Sequence, residues 1–331
     1  MSTVKDVAQR AGVSVGTASK VLSRNPTVKP ALRERVMRAV DELGYKPNLA
    51  ARALRTNKVN VIGLVVPDIS NPYFAQLVKC VEAEASKQGH MVMMVNTDDD
   101  PEIETVQINA LLAQSLHGLI VIGSTERDME PINTSVPIVS LDRRFLNYQL
   151  ISADHIGGSA QVAEHLFNLG HRRIAYISGQ LSTEVGRLRK KGFCDRLAVL
   201  SGKTKPLQLT SIEGQFDYTS ADEIARSLLS VDAAKRPTAI ATASDQQAIG
   251  VLRAARDLNI EVPQQLSIVG FDDIILAELV VPRLTSVSQN TVEMARLAVQ
   301  CLLSETSTPK KDHLIATDLK ERGSTASVCI V

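Results

Sequence analysis

The sequence predicts two unlike folds in one chain: an all-α head containing a helix-turn-helix, and an α/β body built of two parallel-sheet halves. Three observations predict this. Apolar residues recur at helical spacing over the first 58 residues, apolar strands alternate with amphipathic helices from residue 59 onward, and the charge changes between the two segments. A chain of 331 residues, of which 44% are hydrophobic, can bury the cores of two or three domains.

Charge is distributed unevenly along the chain, although the net charge is only +1. Residues 1–58 contain 12 Lys and Arg against 4 Asp and Glu, a net charge of +8, whereas the remainder has a net charge of −7. A basic head attracts a polyanion through phosphate contacts, and an acidic body avoids binding the same polymer nonspecifically. The distribution favours nucleic acid as a partner, although a solvated basic surface would give the same count.

Two short helices are predicted at the start of the chain. Thr3 is a good cap for a helix through Arg10, Gly12 ends that helix, and Ser14 is a good cap for a second helix to about Leu22. The expected inward stripes are Val4, Val7, Ala8 and Ala11 on the first helix, and Val15, Ala18, Val21 and Leu22 on the second. Two short helices joined around a Gly are typical of a helix-turn-helix, whose second helix enters the DNA major groove.

Two further helices are predicted in the head. The third begins near Pro30 and ends at Leu43, with Gly44 as its stop signal. Its expected inward residues are Leu32, Val36, Ala39, Val40 and Leu43. Asn48 is a possible cap for a short fourth helix that ends near Thr56. A helix of about two turns is marginal in isolation, so we expect it to become ordered only against a partner.

The body alternates between strands and helices. The predicted strands are 60–66, 90–96, 119–123, 137–142, 174–178, 238–243 and 267–271, and the predicted helices are 71–87, 103–114, 155–169, 183–200, 220–229 and 246–258. Continuous apolar strands separated by amphipathic helices indicate parallel sheets covered on both faces. Ligands of such sheets bind beyond the carboxyl ends of the strands, and two facing halves enclose them in a cleft.

The segments that follow the predicted strands are polar and aromatic. They are residues 67–74, 142–144, 179–187, 244–245 and 270–273. Because the carboxyl ends of parallel strands meet at one edge of a sheet, we expect these segments to converge on one rim.

Catalytic machinery, metal sites and targeting segments are not predicted. No nucleophile elbow, phosphate-binding loop or GxGxxG follows a strand, and the six His residues show no metal-ligand spacing. Cys80, Cys194, Cys301 and Cys329 lie far apart, so we expect reduced packing residues. No run of about 18 apolar residues and no signal-peptide core is present. We therefore expect a cytoplasmic protein that is not an enzyme and uses no cofactor or metal.

Two segments, VKDVAQRAGVSVGTASKVLS and GYKPNLAARALRT, closely resemble the lactose/galactose repressor family of bacterial transcriptional regulators, and the resemblance covers the whole chain. It implies a sensing domain similar to periplasmic sugar-binding proteins. The implied limits are a DNA-binding domain at 1–58 with its hinge helix at 48–56, and an effector-binding and dimerisation domain at 59–331. Within the latter, one subdomain spans about 59–156 and 288–316, and the other about 157–287 and 317–331.

The resemblance also implies which residues contact DNA. They are Thr3, Ser14, Val15, Gly16, Thr17, Lys20, Asn48, Arg52, Leu54 and Arg55. Base contact falls on Val15, Gly16 and Lys20, of which only Lys20 can reach guanine O6 and N7. The hinge helix is expected to pair with its copy in the minor groove, with Leu54 as the wedge that kinks the duplex. The alternatives are a phosphate contact or a solvated charge for Lys20, and a packing role for Leu54.

The effector contacts implied by the resemblance are Phe74, Arg143, Arg187, Phe216, Ser244 and Asp272. Phe74 and Phe216 would stack on the ligand, Arg187 would donate a bidentate fork, and Asp272 would accept from hydroxyls. Such a set suits sugars, sugar phosphates and nucleosides. The alternative is that Arg187 and Asp272 form an ion pair bracing the two halves, and that the other residues serve the structure.

Two departures from the family pattern concern the cleft. Family members often carry Asn after the Asp that starts the second half, whereas this chain has His155. The chain also lacks Trp, which some relatives stack on their ligand. Arg143 can take that place with its planar guanidinium, which would favour a more acidic or more polar effector.

The implied partners are a second copy of the chain, double-stranded DNA and a small molecule. A homodimer would place two heads on a pseudo-palindromic operator, and repression is expected, with the effector acting either as inducer or as corepressor. The apolar segment IILAELVV at 274–281 is expected to meet its copy across the dimer or, alternatively, to lie in the core. A transporter's solute-binding protein is the rival function, but it would need a signal peptide and no basic head.

Overall fold

The structure is a computed structural model, and the chain divides into two compact units, Met1–Val59 and Asn60–Val331. The residues it describes are 2–22, 27–45, 60–124, 132–202, 206–304 and 311–328.

The described part of the first unit contains three helices at the predicted places: α1 (Val4–Ala11), α2 (Val15–Leu22) and α3 (Pro30–Leu43). Thr3 caps α1 in a reciprocal arrangement with Asp6, since each side chain bonds the other residue's backbone N–H. Gly12 and Gly44 end α1 and α3 in the left-handed conformation, which glycine adopts without strain. The capping residues visible in the sequence therefore fix these helix limits.

The helices of the first unit bury a small apolar core. It consists of Val7, Ala8, Ala11, Ala18, Val21, Val36 and Ala39. Two residues expected to face inward do not, because Val15 is 41% exposed and Leu43 is 36% exposed. Val15 is the first residue of α2 and Leu43 the last of α3, and a terminal residue is covered by fewer neighbours than a central one.

The second unit contains two six-stranded sheets. The first has the strand order β11-β5-β4-β3-β1-β2, and all of its pairings are parallel. Its strands are β1 (Val61–Val66), β2 (Met91–Asn96), β3 (Gly118–Val121), β4 (Ile138–Leu141), β5 (Leu150–Ala153) and β11 (His313–Ile315). The helices of this half are α4 (Pro72–Lys87), α5 (Pro101–Leu112) and α11 (Thr291–Leu303).

The second sheet has the order β12-β10-β9-β8-β6-β7, and only the β10–β12 pairing is antiparallel. Its strands are β6 (Arg173–Ser178), β7 (Gln208–Glu213), β8 (Ala239–Thr242), β9 (Ser267–Asp272), β10 (Thr285–Ser288) and β12 (Asp318–Lys320). The accompanying helices are α6 (His155–Asn168), α7 (Glu184–Ser201), α8 (Tyr218–Leu229), α9 (Asp245–Asp257) and the short α10 (Leu276–Leu279).

The chain passes from one sheet to the other after β5, after β10 and after β11. Ser288, expected to return to the first half, instead ends β10 in the second sheet, so the return to the first half comes after it. The exact limits of the subdomains stay a prediction.

Five strands, β5, β7, β10, β11 and β12, were not located from the sequence, because none of them has a long apolar run. Strand β7 lies at a sheet edge, with every residue at least partly exposed, and carries the mixed sequence QLTSIE. Strand β5 has only four residues, one of them Ser152. A search for continuous apolar segments finds buried central strands and overlooks short or edge strands.

Among the described residues, no helix combines the length and apolar character needed to span a bilayer. Cys80 and Cys301 are partly buried against the core of the first half, and Cys194 against that of the second. Cys329 lies outside the described residues.

Candidate functional site

A cleft lies between the two sheets of the second unit, at the carboxyl ends of their strands. It encloses about 310 Å³ of empty space, part of it open to solvent. Its walls are formed by Asn71, Tyr73, Phe74, Asp142, Arg143, Val185, Arg189, Phe216, Ser244 and Asp272. The first five follow strands β1 and β4 of one sheet, and the other five follow β6, β7 and β8 or end β9 of the other. The predicted rim therefore exists.

The first wall is organised around a buried hydroxyl. Tyr73 Oη donates to Asp142 Oδ1 at 2.6 Å and lies 3.2 Å from Gln289 Oε1. Burial, reinforced by the Asp142 carboxylate, holds the pKa of Tyr73 well above its ordinary value of 10. Tyr73 thus remains a donor at any physiological pH, and it keeps one Asp142 oxygen turned toward itself.

Arg143 and Phe74 belong to the same wall. Arg143 Nη1 donates to Asp99 Oδ1 at 3.0 Å and to the Ser124 carbonyl at 3.2 Å. Its guanidinium carbon lies 5.1 Å from the centroid of the Phe74 ring, within cation–π range. These contacts hold the guanidinium at the rim of the cleft.

The second wall centres on Arg189, which is 3% exposed. Its Nη1 donates to Asp272 Oδ1 at 2.9 Å and to the Ala243 carbonyl at 2.5 Å, and its guanidinium lies over the Phe271 ring at 3.9 Å. A buried cation is tolerated when it is paired and hydrogen-bonded in this way. The arrangement fixes both the charge and the orientation of Arg189.

His155, the residue that departs from the family pattern, supports Arg189 from behind. Its Nδ1 accepts from Arg189 Nε at 3.3 Å, so Nε2 carries the proton and donates to Ser152 Oγ at 3.1 Å. Burial, assisted by the charges of Arg189 and Arg143, lowers the pKa of His155 well below 6.5. The imidazole is therefore neutral and serves as an acceptor for Arg189.

Arg187, predicted to reach the ligand, does not line this cleft. It is exposed, and its Nη1 donates to the carbonyls of Leu181 and Ser182 at 3.0 and 3.1 Å. Residues two apart on a helix project about 200° apart, so Arg187 and Arg189 cannot both face the cleft. A signal that Arg189 faces the cleft wall was present, because Val185, Arg189 and Phe193 recur every four residues on the buried face of α7.

The other five predicted effector residues, Phe74, Arg143, Phe216, Ser244 and Asp272, all line the cleft. Phe216 lies directly over Gly179, where an added Cβ would come within 1.9 Å of the ring. Ser244 Oγ donates to the Phe216 carbonyl at 3.1 Å and accepts from the backbone of α9. Asn71, Tyr73, Asp142, Val185 and Arg189 were missed, although the first four lie in segments singled out from the sequence.

The alternative considered from the sequence was an ion pair between Arg187 and Asp272 that braces the two halves. In the structure Asp272 pairs with Arg189 instead. Arg189 and Asp272 both belong to the second half, since they lie on α7 and at the end of β9. One chain of contacts that joins the halves runs instead through Gln289, whose Nε2 donates to Asp272 at 2.6 Å and whose Oε1 accepts from Tyr73. Asp272 is therefore shared by the cleft and by the connection between the halves.

We expect ligand affinity at the cleft to fall below pH 6. Burial raises the pKa of Asp272 from its ordinary value of 3.8 to about 6, although Arg189 opposes the shift. Oδ1 of Asp272 already accepts from Arg189 and Gln289, so protonation at Oδ2 removes an acceptor for ligand hydroxyls, and affinity should drop by up to about tenfold per pH unit below that value. Titration calorimetry between pH 5 and 8 measures this, and a flat profile would contradict it.

The raised pKa of Asp272 also makes the stability of the folded chain depend on pH. Between about pH 4 and pH 6 the folded chain keeps a proton on Asp272 that the unfolded chain has already released. This carboxyl therefore contributes less stability as the pH rises through that window.

In the first unit, several predicted DNA contacts also build the fold. Thr3 caps α1, and Ser14 Oγ accepts from the Thr17 backbone N–H at 3.1 Å and lies 2.9 Å from Thr17 Oγ1. Hydrogen bonds from the Thr3 backbone and side chain lower the pKa of Asp6. These side chains hold the ends of α1 and α2 in place.

The exposed face of α2 carries the residues to which base contact was assigned. Val15, Gly16 and Lys20 are all exposed there, whereas Ala18 and Val21 point into the core. Asn48, Arg52, Leu54 and Arg55, together with the predicted helix 48–56, lie outside the described residues, so their roles stay predictions.

Two family models match the chain. The model described as "Bacterial regulatory proteins, lacI family" matches residues 3–48, and the "Periplasmic binding protein-like domain" matches residues 163–325. The first match lies in the helical unit and the second in the α/β unit.

Relatives of known name are similar over nearly the whole chain. Catabolite control protein A of Priestia megaterium is 32% identical over 306 residues, which cover 91% of each chain. The ribose operon repressor of Escherichia coli (strain K12) is 31% identical over 98% of this chain and 100% of its own. The transcriptional regulator DegA of Bacillus subtilis (strain 168) is 36% identical over 88% of each chain.

Solved structures show the same fold. A lac repressor dimer bound to operator and the anti-inducer ONPF is 28% identical, with a TM-score of 0.82 over 98% of this chain and 99% of its own. The transcriptional regulator CelR in complex with cellobiose is 31% identical, with a TM-score of 0.68 over 98% of this chain and 100% of its own.

Proposed function

The chain belongs to the LacI family of bacterial regulatory proteins, and we propose that it is a transcriptional repressor whose affinity for operator DNA is set by a small molecule in the cleft. The observation that carries this proposal is the union, in one chain, of a helix-turn-helix unit with a polar, aromatic-lined cleft at the strand ends. The relatives are transcriptional regulators rather than enzymes. We infer that the protein acts in the cytoplasm, where the DNA of a bacterium lies.

DNA recognition is assigned to the exposed face of α2. This helix is eight residues long and presents Val15, Gly16 and Lys20, while its buried face is held by α1 and α3. A rigid helix with one exposed cation and a small residue at its start can enter the major groove closely and address guanine through the cation.

A matched pair of substitutions tests this assignment. Lys20→Ala should lower affinity for the preferred operator by about 1 to 3 kcal/mol and relax the preference at one base pair. Arg38→Ala removes the same charge from α3, where Arg38 pairs with Glu34, and should leave the sequence preference unchanged. Selection of bound sequences from random DNA gives the readout. Identical preferences for Lys20→Ala and the unmodified protein would contradict a base contact.

The cleft supports a ligand with several hydroxyl groups. Asp142 and Asp272 provide acceptors, Arg189 provides donors, and Phe74 and Phe216 provide faces for a ring. Relatives are named for a ribose operon, and one neighbouring structure holds cellobiose. We infer that the effector is a sugar or a similar polyhydroxy molecule. Its binding either lowers or raises the affinity of the protein for the operator.

The segment 274–281 is divided between core and surface. Ile274 and Ala277 are buried, whereas Ile275, Leu279 and Val281 are 65, 67 and 93% exposed. Ile274 and Ala277 therefore lie in the core, and we infer that the exposed residues of the segment meet their copy across the dimer. Three large apolar side chains exposed together mark an association surface, and a neighbouring structure is a dimer.

We expect Leu279→Lys to weaken self-association by at least tenfold, because burying an unpaired ammonium in an apolar interface is costly. Val199→Lys is the matched control, since Val199 is 69% exposed on α7 outside this segment. Sedimentation equilibrium measures the dimer constant of each protein. A Leu279→Lys protein that associates as tightly as the control would exclude this surface from the dimer.

A further inference from the structure

Asp99 lies outside the set of residues that line the cleft, but the backbone fixes its position. The Asp99 N–H donates to the Pro67 carbonyl at 2.8 Å, and Asp98 and Asp99 both adopt left-handed backbone angles, with φ of 52° and 55°. Residues other than glycine adopt this conformation rarely, and Asp and Asn tolerate it best. The loop therefore presents the Asp99 carboxylate to Arg143 in a defined orientation, at 3.0 Å.

Both arginines of the cleft lining are paired with carboxylates of the protein. Arg189 pairs with Asp272 and Arg143 pairs with Asp99, so each arginine of the lining has a carboxylate partner. Asp142 is bonded to a neutral hydroxyl, that of Tyr73. Among the described residues the lining and Asp99 thus contain more carboxylates than guanidinium groups. An incoming phosphate would meet a surplus of negative charge.

Three helices begin at the cleft, and the N-terminus of a helix is a common anion site. Here each first turn is capped by the chain itself. Asn71 accepts from Tyr73 N on α4, Thr183 from Gly186 N on α7, and Ser244 from Gln247 N on α9. An anion would have to displace these side chains to reach the same N–H groups.

We propose that Asp99, by holding Arg143, restricts the cleft to uncharged polyhydroxy ligands and excludes their phosphorylated forms. This rests on the proposed function, since it names the class of ligand bound by the same cleft. The contribution of Asp99 is electrostatic: it occupies the guanidinium that would otherwise attract a phosphate, and it adds a negative charge beside it. Asp99 is a positioning residue, because it acts through Arg143.

The experiment compares the full-length protein with its Asp99→Asn and Asp98→Asn variants. Both substitutions remove one negative charge, and Asn tolerates the left-handed backbone of the loop. Asp98 is exposed and accepts from Asn96 rather than from Arg143, so it controls for a general charge effect. The probes are D-ribose, D-xylose and D-glucose, together with D-ribose 5-phosphate and D-glucose 6-phosphate, each titrated by calorimetry.

We expect the unmodified protein and Asp98→Asn to bind at least one neutral sugar and to bind its phosphate at least about 100-fold more weakly. Asp99→Asn should reduce the ratio of the affinity for the neutral sugar to the affinity for its phosphate by about tenfold or more, because the variant binds the phosphate more tightly. A protein that prefers a phosphorylated sugar, or an Asp99→Asn variant with an unchanged ratio, would overturn the proposal.

Failure of this inference is distinguishable from failure of the proposed function. If none of the neutral sugars binds while the protein still selects a specific DNA sequence, the ligand class assigned here is wrong and the regulator function stands. If the protein selects no DNA sequence, the proposed function itself is wrong, whatever the cleft binds.

Discussion

Arg189→Met should abolish the response to the effector, whereas Arg187→Met should leave it intact. Arg189 is buried in the wall of the cleft and is bonded to Asp272, His155 and the Ala243 carbonyl, while Arg187 is exposed. Arg189 Nη2 is the part of the guanidinium that remains to donate to a ligand, and losing such a charge-assisted donor lowers affinity by up to about 100-fold, which corresponds to roughly 3 kcal/mol. Thermal-shift screening first identifies a sugar that binds the unmodified protein, and calorimetry then measures the affinity of each variant for that sugar.

The Arg189→Met protein should also be less stable, because Asp272 loses its ionic partner. Removing one member of a buried pair costs about 3 to 5 kcal/mol, and the cost here should be largest above pH 6, where Asp272 is ionised. Chemical denaturation of the two variants at pH 5 and pH 8 tests this. If Arg187→Met lost the response and Arg189→Met kept it, the assignment of the cleft would be wrong.

Asp272→Asn should weaken effector binding by about 10- to 100-fold while sparing DNA binding in the absence of effector. The substitution keeps the shape of the side chain but removes the charge that strengthens hydrogen bonds from hydroxyls. Asp273→Asn is the matched control, because the neighbouring Asp273 pairs with Arg322 at 2.7 Å and is not part of the cleft lining.

The Asp272→Asn protein should in addition lose the decline in affinity below pH 6, since an amide does not titrate there. Asp272 also accepts from Gln289, the residue that links it to Tyr73 of the other half. If Asp272→Asn lost operator binding itself, the carboxylate would serve chiefly to hold the halves together, and its assignment as an effector contact would fail.

The limits of α1, α2 and α3 were predicted almost to the residue, because the signals there are local. Thr3, Gly12 and Gly44 act through their own turns, and the structure confirms each of them as a helix cap. Exposure was harder to predict. Helical spacing predicted that Val15 and Leu43 face inward. Spacing does not show, however, that residues at a helix end are covered by fewer neighbouring side chains.

The cleft was predicted in part. The rule that ligands bind beyond strand ends identified the correct loops, and five of the six effector residues carried over from the family line the cleft. Arg187 was carried over from the family resemblance, whereas the structure places Arg189, two residues later, on the buried face of α7. Tyr73 and Asp142 were missed because their pairing joins residues 69 positions apart.

The measurement that tests the account most directly is operator affinity as the effector is added. Fluorescence anisotropy of labelled operator DNA should show the affinity of the unmodified protein changing by about 5- to 150-fold at saturating sugar, and that of Arg189→Met staying constant. If the sugar binds the cleft but operator affinity does not change, the cleft does not control DNA binding and the account is wrong.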